Sequence, residues 1–277
     1  MNKELLNKRV LILDVEMSKC IYYTFPSHRP VKLNPKDKIQ GQFMLTAAWK
    51  WWGEDEVHLA SVLDDKRRFK KDPTDDFYVV SSLCDAVKEA DIVVGHNSDA
   101  FDIKHLAFLA YKHDLEPLPV THSIDTLKQA RKRFKNDSLS MDAIVKARGL
   151  TYKTDVLNKN KVWNDATSGD PEAIKIIGEY NIDDVNVQEE MFEDMLPWMV
   201  NIPSLHLVDG KEENGRVCAK CGEKHNLIQR GVWYNKARNA KYHRFSCNTC
   251  GSWGIDKSVN LLSKKYLEAQ KLIDNTK

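Results

Sequence analysis

Two acidic residues close to the N-terminus end a segment that is otherwise apolar. Residues 9–16 read RVLILDVE, a short run rich in branched apolar residues that predicts a buried strand. Side chains of a strand alternate between its faces, so Asp14 and Glu16 share one face. Carboxylates so placed repel each other, and an oxygen-binding cation such as Mg²⁺ or Mn²⁺ would relieve that cost. A strand that emerges into solvent at this point explains the pair equally well.

A further acidic residue lies on the apolar face of a predicted helix that runs from Asp170 to about Met195. Alternating spacings of four and three place one set of residues on that face, namely Ala173, Ile177, Tyr180, Asp184, Val187 and Met191. A buried carboxylate is costly without a partner. Asp184, unlike the solvent-facing Asp183, is therefore predicted to contact the sheet and to need a cation or a salt bridge.

A third acidic cluster, HNSDAFD, covers residues 96–102 between a predicted strand at 91–96 and a predicted helix at 102–113. Asp99 is predicted to cap this helix, because acidic residues are favoured at helix starts. Asp102 is followed by apolar residues of the helix. Its carboxylate is therefore predicted to lie near the end of the sheet.

Together the three clusters resemble the motifs of the DEDD, or DnaQ-like, exonucleases, a superfamily with the RNase H-like fold, in its tyrosine subclass. The matching positions are Asp14 and Glu16 for Asp-x-Glu, Asn97, Phe101 and Asp102 for Asn-x-x-x-(Phe/Tyr)-Asp, and Tyr180 and Asp184 for Tyr-x-x-x-Asp. The likeness covers about residues 8–195 and is nearest to stand-alone and phage-type members and to the proofreading domains of family B polymerases. Unlike those proofreading domains, this region is not expected to continue into a polymerase domain.

That resemblance implies 3′→5′ phosphodiester hydrolysis with two Mg²⁺ or Mn²⁺ ions. Asp14 would bridge both ions, Glu16 and Asp184 would complete the first site, and Asp102 would hold the second. Tyr180 would orient the attacking water. The residues expected to hold the terminal nucleotide are Met17, Asn97 and Phe101. Local packing is the alternative explanation of those three.

Four cysteines form two Cys-x-x-Cys-Gly turns, at Cys218, Cys221, Cys247 and Cys250. Thiolates two residues apart in a tight turn can hold one Zn²⁺ tetrahedrally, which predicts a structural zinc ribbon, with disulfides as the alternative. Between the turns, a hairpin is predicted from Gln229–Tyr234 and Lys241–Ser246. Its basic and aromatic residues suit contacts to a nucleic acid, although the aromatics could instead form the core of the module.

The chain of 277 residues suits one domain of about 200 residues and a smaller module. The predicted divisions are an RNase H-like domain at 1–200, a linker at 201–214, the zinc ribbon at 215–257 and a C-terminal helix at 258–277. Besides those above, the predicted elements are a hairpin from 42–52 and 57–63, a charged loop at 64–76, and helices at 77–90, 124–134 and 140–148. This order predicts an α/β fold with a mixed central sheet flanked by helices.

Charge is spread unevenly over a chain whose formal net charge is only +2. Residues 211–277 carry +8 and residues 1–210 carry −6, which favours a cation site in the first part and a polyanion in the second. The expected partner is single-stranded DNA or a DNA 3′ end, with a separate polymerase or replication protein as a further candidate. Alternatives are an exoribonuclease of the same fold and a non-catalytic zinc-ribbon adaptor. The sequence shows neither a signal peptide nor a membrane-spanning run, which predicts a cytoplasmic protein. A phage-encoded protein that acts in the cytoplasm of its host would also fit this prediction.

Overall fold

The computed structural model describes residues 9–25, 31–119, 122–151, 156–200, 202, 218, 220, 223, 226–235, 240–255 and 259–260. The chain divides into two compact units. The larger comprises Lys8–Met195 with Met199–Pro203, and the smaller comprises Met1–Asn7, Leu196–Trp198 and Ser204–Lys277. Apart from residues 202 and 259–260, the predicted linker and the predicted C-terminal helix lie outside the described residues.

A five-stranded mixed sheet forms the centre of the larger unit. The strands of this unit are β1 (Val10–Met17), β2 (Ile21–Tyr22), β3 (Lys38–Gln40), β4 (Met44–Trp51), β5 (Val57–Ser61), β6 (Ile92–Gly95) and β7 (His122–Asp125). The central sheet has the order β5-β4-β1-β6-β7, while β2 and β3 pair separately. β4 runs antiparallel to β1 and β5, whereas β6 runs parallel to β1 and β7. The predicted α/β fold with a mixed, RNase H-like sheet is confirmed.

The middle position of β1 explains its apolar sequence. Leu11, Ile12 and Leu13 are each at most 1% exposed, because β1 has a strand on either side and is covered on both faces. The two acidic residues of β1 come only after this apolar stretch. Both residues pair with β4, Asp14 opposite Ala48 and Glu16 opposite Thr46.

Seven helices lie in the described part of the larger unit. They are α1 (Lys66–Lys71), α2 (Phe77–Lys88), α3 (Asp102–Lys112), α4 (Thr126–Arg133), α5 (Met141–Arg148), α6 (Lys159–Thr167) and α7 (Pro171–Met195). Asp170 caps α7 by accepting hydrogen bonds from the backbone N–H groups of Glu172 and Ala173. Gly149 ends α5 with a φ of 64°, a conformation that suits glycine. None of the described helices combines the length and the apolar character that crossing a bilayer requires.

Three local predictions differ from the structure. Residues 66–71, expected in a loop, form α1, because the Asp65 side chain caps the helix by accepting from two backbone N–H groups. The helix predicted at 124–134 begins only at Thr126, because Asp125 still pairs with β6 and its side chain caps α4. The helix α6 was not predicted at all, and it follows Asn158, a residue with a φ of 55°.

The long helix α7 lies across the middle of the sheet. All six residues of its predicted stripe are buried, and so is the neighbouring Gln188. The amide of Gln188 donates to the backbone oxygens of Leu13 and Val94, at 3.2 and 3.1 Å, and so contacts β1 and β6 together. Asp184, about one turn earlier, is 5% exposed, whereas Asp183 is only partly buried. The prediction that Asp184 faces the sheet is therefore confirmed.

The smaller unit contains an antiparallel sheet. Its strands are β8 (Leu227–Asn235), β9 (Ala240–Cys247), β10 (Trp253–Ile255) and β11 (Val259–Asn260). β8 pairs with β9 along its length, so the predicted hairpin is present. β10 and β11 also pair with β9, which means that Val259 and Asn260 are in a strand and not in the helix predicted from 258. Residues 261–277 lie outside the described part of the chain.

Candidate active site

Three of the four predicted metal-binding carboxylates meet at the end of β1. Asp14, Glu16 and Asp184 each offer an oxygen atom, and these oxygens all lie within 4.8 Å of one another. The first two project from one face of β1, as the alternation of strand side chains requires, and the third comes from α7. Carboxylate oxygens are the ligands that Mg²⁺ and Mn²⁺ prefer, so the cluster has the chemistry of a site for such ions.

The fourth carboxylate, Asp102, lies beside this group and not within it. It is 4% exposed, and its Oδ1 accepts a hydrogen bond of 3.1 Å from the backbone N–H of Val15, the residue between Asp14 and Glu16. Burial raises the pKa of Asp102 to about 7, and the negative charge of Asp125 adds to the rise. A nearby cation would reverse this cost, since it favours the ionised carboxylate.

Asp125 holds the loop that leads into α3. Its Oδ1 accepts from the backbone N–H groups of Asn97 and Lys128, at 3.1 and 3.0 Å. The prediction that Asp99 caps α3 is wrong, since its carboxylate instead accepts from the Lys128 ammonium at 2.6 Å and from the Ser123 hydroxyl. The two acids therefore attach this loop to β7 and α4. Sequence reasoning gave Asp125 no role, because the segment from residue 124 was predicted to be helical, whereas Asp125 is the last residue of β7.

The three predicted nucleotide contacts have different surroundings. Met17 is 6% exposed and belongs to the hydrophobic core of the unit. Asn97 has a φ of 69° and uses its N–H in the bond to Asp125. Phe101 is 38% exposed and stands edge-on to His105, with ring centroids 4.5 Å apart. Packing explains Met17 best, whereas Phe101 offers ring surface to a ligand.

Tyr180 is held by a helix that the sequence did not reveal. The Lys159 ammonium donates a 3.0 Å hydrogen bond to the Tyr180 hydroxyl oxygen, and Trp163 stands edge-on to the Tyr180 ring at 5.7 Å. Lys159 and Trp163 are four residues apart on α6, so they lie on one face of it. The four-residue spacing of Lys159 and Trp163 was the sequence feature that could have indicated this helix.

Asn181 is a second residue that sequence reasoning missed. It is 0% exposed, and its Nδ2 donates to Oδ2 of Asp14 at 2.7 Å. Its Oδ1 accepts from the Thr46 hydroxyl at 3.0 Å. Its position between Tyr180 and Asp184 was the sequence feature that could have indicated a role in the site. Nothing in the sequence, however, indicated that its partner is Asp14.

The smaller unit contains a thiol cluster. The sulfur atoms of Cys218, Cys247 and Cys250 lie within 4.8 Å of one another, and no disulfide joins the described cysteines. Cys221 lies outside the described residues. The Cys247 carbonyl accepts from the N–H of Gly251, whose φ of 70° permits the tight turn between the paired thiols. This donor set suits tetrahedral Zn²⁺.

The aromatic residues of this unit divide between core and surface. Tyr242 and Phe245 are buried, as the core interpretation requires. Trp233 and Trp253 are 45% and 56% exposed, and the Arg244 guanidinium lies 5.2 Å from the Trp253 ring centroid. The core interpretation therefore holds for Tyr242 and Phe245, whereas the contact to a nucleic acid stays a prediction. Trp253 adds an exposed ring that the sequence did not single out.

Comparison with known proteins identifies the family to which the larger unit is similar. No curated protein matches the chain. Among solved structures, the chain is similar to the family B DNA polymerase from the hyperthermophilic archaeon Pyrobaculum calidifontis, with 18% identity and a TM-score of 0.49. The match covers 69% of this chain and 25% of the polymerase, so this chain spans about a quarter of that protein's length. The family model of the RNase_H superfamily matches residues 41–196, more than half of the chain, including Asp102 and Asp184. The chain therefore belongs to the RNase H superfamily.

Proposed function

We propose that the protein is a metal-dependent 3′→5′ exonuclease that releases nucleotides from DNA ends. The observation that carries the proposal is the group of carboxylate oxygens of Asp14, Glu16 and Asp184 within 4.8 Å, with Asp102 buried beside it. Membership of the RNase H superfamily supports a hydrolase that cleaves nucleic acids. The 3′→5′ direction and the preference for DNA rest on the resemblance of the three motifs to the DEDD exonucleases.

The carboxylates fit the divalent ions that this chemistry requires. Asp14, Glu16 and Asp184 would hold them, and Asp102, which accepts from the Val15 N–H, would contribute a fourth carboxylate. Acidic groups this close repel one another strongly in a partly buried site, so a cation stabilises the arrangement. When bound, two such ions stabilise the attacking and leaving oxygens of a phosphodiester during displacement.

The protein's own side chains would position the reactants. One water molecule adds to phosphorus, the bond from phosphorus to the 3′ oxygen breaks, and that oxygen takes up a proton. A 5′-nucleotide leaves and the shortened strand keeps a 3′-hydroxyl. Tyr180 would orient the water. The Lys159 ammonium, by donating to the Tyr180 hydroxyl oxygen, would hold that hydroxyl in place. Phe101 would stack on the terminal base.

In the smaller unit we propose one structural Zn²⁺, held by Cys218, Cys221, Cys247 and Cys250. The exposed Trp233 and Trp253 and the nearby Arg244 would contact the nucleic acid by stacking and by charge. Docking on a separate polymerase stays a prediction.

The decisive experiment follows the shortening of a 5′-labelled single-stranded DNA. We expect a descending series of products with Mg²⁺ or Mn²⁺, and none with EDTA or with an Asp14→Ala variant. A matched RNA strand, cleaved faster than DNA, would identify an exoribonuclease instead. No shortening with either metal, together with a gel shift that disappears when the cysteine module is removed, would favour the non-catalytic adaptor.

A further inference from the structure

A small hairpin follows the metal-binding strand directly. In it β2 pairs antiparallel with β3, Ile21 opposite Gln40 and Tyr22 opposite Lys38. We call residues 21–25 and 31–40 the β2–β3 hairpin. Among them only Ile21, Tyr22 and Gln40 are even partly buried. Burial of its own side chains therefore does not explain why this extension exists.

The β2–β3 hairpin exposes apolar and cationic side chains together. Its exposed large apolar residues are Tyr23 (76%), Phe25 (92%), Val31 (46%), Leu33 (51%) and Ile39 (51%). The exposed lysines among its residues are Lys32, Lys36 and Lys38, and Asp37 is the one acid within the hairpin as described. Five exposed large apolar side chains within so short a segment favour an interaction surface. The excess of lysine favours a negatively charged partner.

Hydrogen bonds attach the β2–β3 hairpin to α6. The backbone N–H of Lys19, two residues before β2, donates to the Thr167 hydroxyl at 3.0 Å, and its ammonium donates to Asn164 Oδ1 at 2.9 Å. At the other strand, the Gln40 amide donates to the Thr167 carbonyl at 3.4 Å. Gln40 of β3 and Lys19, which precedes β2, therefore both contact α6, the helix whose first turns contact Tyr180.

The chain itself also limits the distance to the carboxylates. Ile21 follows Glu16 by five residues, and an extended chain spans about 3.5 Å per residue, so the two Cα atoms lie within roughly 18 Å. The β2–β3 hairpin is therefore fixed near the proposed active site by its sequence position and by its contacts with α6.

We propose that the β2–β3 hairpin binds single-stranded DNA a few nucleotides upstream of the 3′ end that the carboxylates receive. Tyr23 and Phe25 stack on unpaired bases, and Lys32, Lys36 and Lys38 contact phosphates. Exposed rings and cations in one small hairpin suit a single strand, because every base has a face for stacking and every linkage carries a charge. This inference rests on the proposed function and adds to it a second contact along the substrate.

Binding tests the proposal without catalysis. The full-length protein carries Asp14→Ala, and a fluorescent single-stranded DNA of about 20 nucleotides is titrated by anisotropy without added Mg²⁺. Adding Tyr23→Ala and Phe25→Ala should weaken binding by about 30-fold or more, because two stacking contacts are removed. Phe108→Ala and Tyr111→Ala are the matched control, because these rings of α3 are 64% and 81% exposed, and affinity should stay unchanged.

The lysines give a second, independent readout. Replacing Lys32, Lys36 and Lys38 by alanine should reduce the slope of log Kd against log salt by about 2, since each single-strand phosphate contact contributes about 0.7. Unchanged affinity in the aromatic variant together with an unchanged salt slope in the lysine variant would overturn the proposal. So would a change in oligomeric state without a change in DNA affinity, which would make the surface a contact between proteins.

Cleavage separates this proposal from the proposed function. With Asp14 intact, the Tyr23→Ala, Phe25→Ala protein should cleave the DNA more slowly than wild type. It should retain the wild-type rate on thymidine 5′-(4-nitrophenyl phosphate), which is too small to reach the hairpin. Wild-type protein that cleaves neither substrate would contradict the exonuclease, and the binding titration would still decide the role of the hairpin.

Discussion

Asn181 donates a 2.7 Å hydrogen bond to the Asp14 carboxylate, although 167 positions separate the two residues. The Thr46 hydroxyl donates to the other end of the same amide, and this fixes which end faces Asp14. The bond joins α7 to β1 at the proposed metal site, three residues before Asp184 on the helix. Asn181 is thus placed to hold one Asp14 oxygen while the cluster of Asp14, Glu16 and Asp184 binds a cation.

Replacing Asn181 should therefore damage the site without removing any carboxylate. We expect Asn181→Ala to lower exonuclease activity or the apparent Mg²⁺ affinity by about 10- to 100-fold, as is usual for partners of metal ligands. Asn181→Asp should be worse, because it places a second carboxylate against Asp14. The measurement is the cleavage rate as a function of Mg²⁺ concentration. Asn186→Ala is the control, since Asn186 is an exposed residue of the same helix. Equal metal dependence in all three variants would contradict the role of Asn181.

Asp102→Asn should stabilise the protein at alkaline pH when no Mg²⁺ is added. Burial raises the pKa of Asp102 from 3.8 to about 7, so ionisation costs folding free energy, and this cost grows between about pH 4 and pH 7. Asparagine keeps an oxygen that can accept from the Val15 N–H but cannot ionise. The gain in the free energy of unfolding should be near zero at pH 4 and reach up to about 4 kcal/mol at pH 8.

Urea denaturation at several pH values measures this gain, and Asp99→Asn provides a control of opposite sign. For Asp99, hydrogen bonds from Lys128 and Ser123 outweigh the effect of burial, and the pKa is lowered. Its ionised form therefore stabilises the fold above its unfolded pKa, and this contribution is lost as the pH falls. Asp99→Asn should then destabilise the protein more at pH 8 than at acidic pH. A pH-independent effect of Asp102→Asn would contradict the argument.

Lys159 should contribute to cleavage through Tyr180. Lys159→Met removes the ammonium that holds the Tyr180 hydroxyl oxygen, and we expect a loss of roughly 10- to 100-fold in kcat with little change in the KM for DNA. Tyr180→Phe should have a similar effect, and the double variant should be no worse than the more impaired single variant, because both changes act on one group. Lys161→Ala is the control, since that lysine of α6 pairs with Asp165 at the surface. Losses that multiply in the double variant would contradict this coupling.

The thiol cluster predicts one zinc ion per chain. Metal analysis of the purified protein should find this ion, and Cys247→Ser should lose most of it, since Cys247 is 1% exposed within the cluster. Cys20→Ser is the matched control because Cys20 lies in the other unit, and it should leave the zinc content unchanged. Full zinc occupancy in Cys247→Ser would show that the ion is held elsewhere.

The sequence by itself determined the features that depend on local periodicity. Strand alternation placed Asp14 and Glu16 on one face of β1, and helical spacing turned Asp184 rather than Asp183 towards the sheet. The order of the predicted elements, strands first and then strands alternating with helices, predicted the mixed sheet. The start of α7 at Asp170 was likewise predicted from neighbouring residues, because the cap accepts from backbone N–H groups two and three residues later.

Only the tertiary structure decided which distant residues touch. It joined Asn181 to Asp14, and it brought Lys159 of an unpredicted helix to Tyr180. It also bonded Asp99 to β7 and α4, where local preference had favoured a cap. A side-chain hydrogen bond requires two groups within about 3 Å, and the packing of whole elements sets that distance. Sequence periodicity states which way a side chain points, but it does not state what lies opposite.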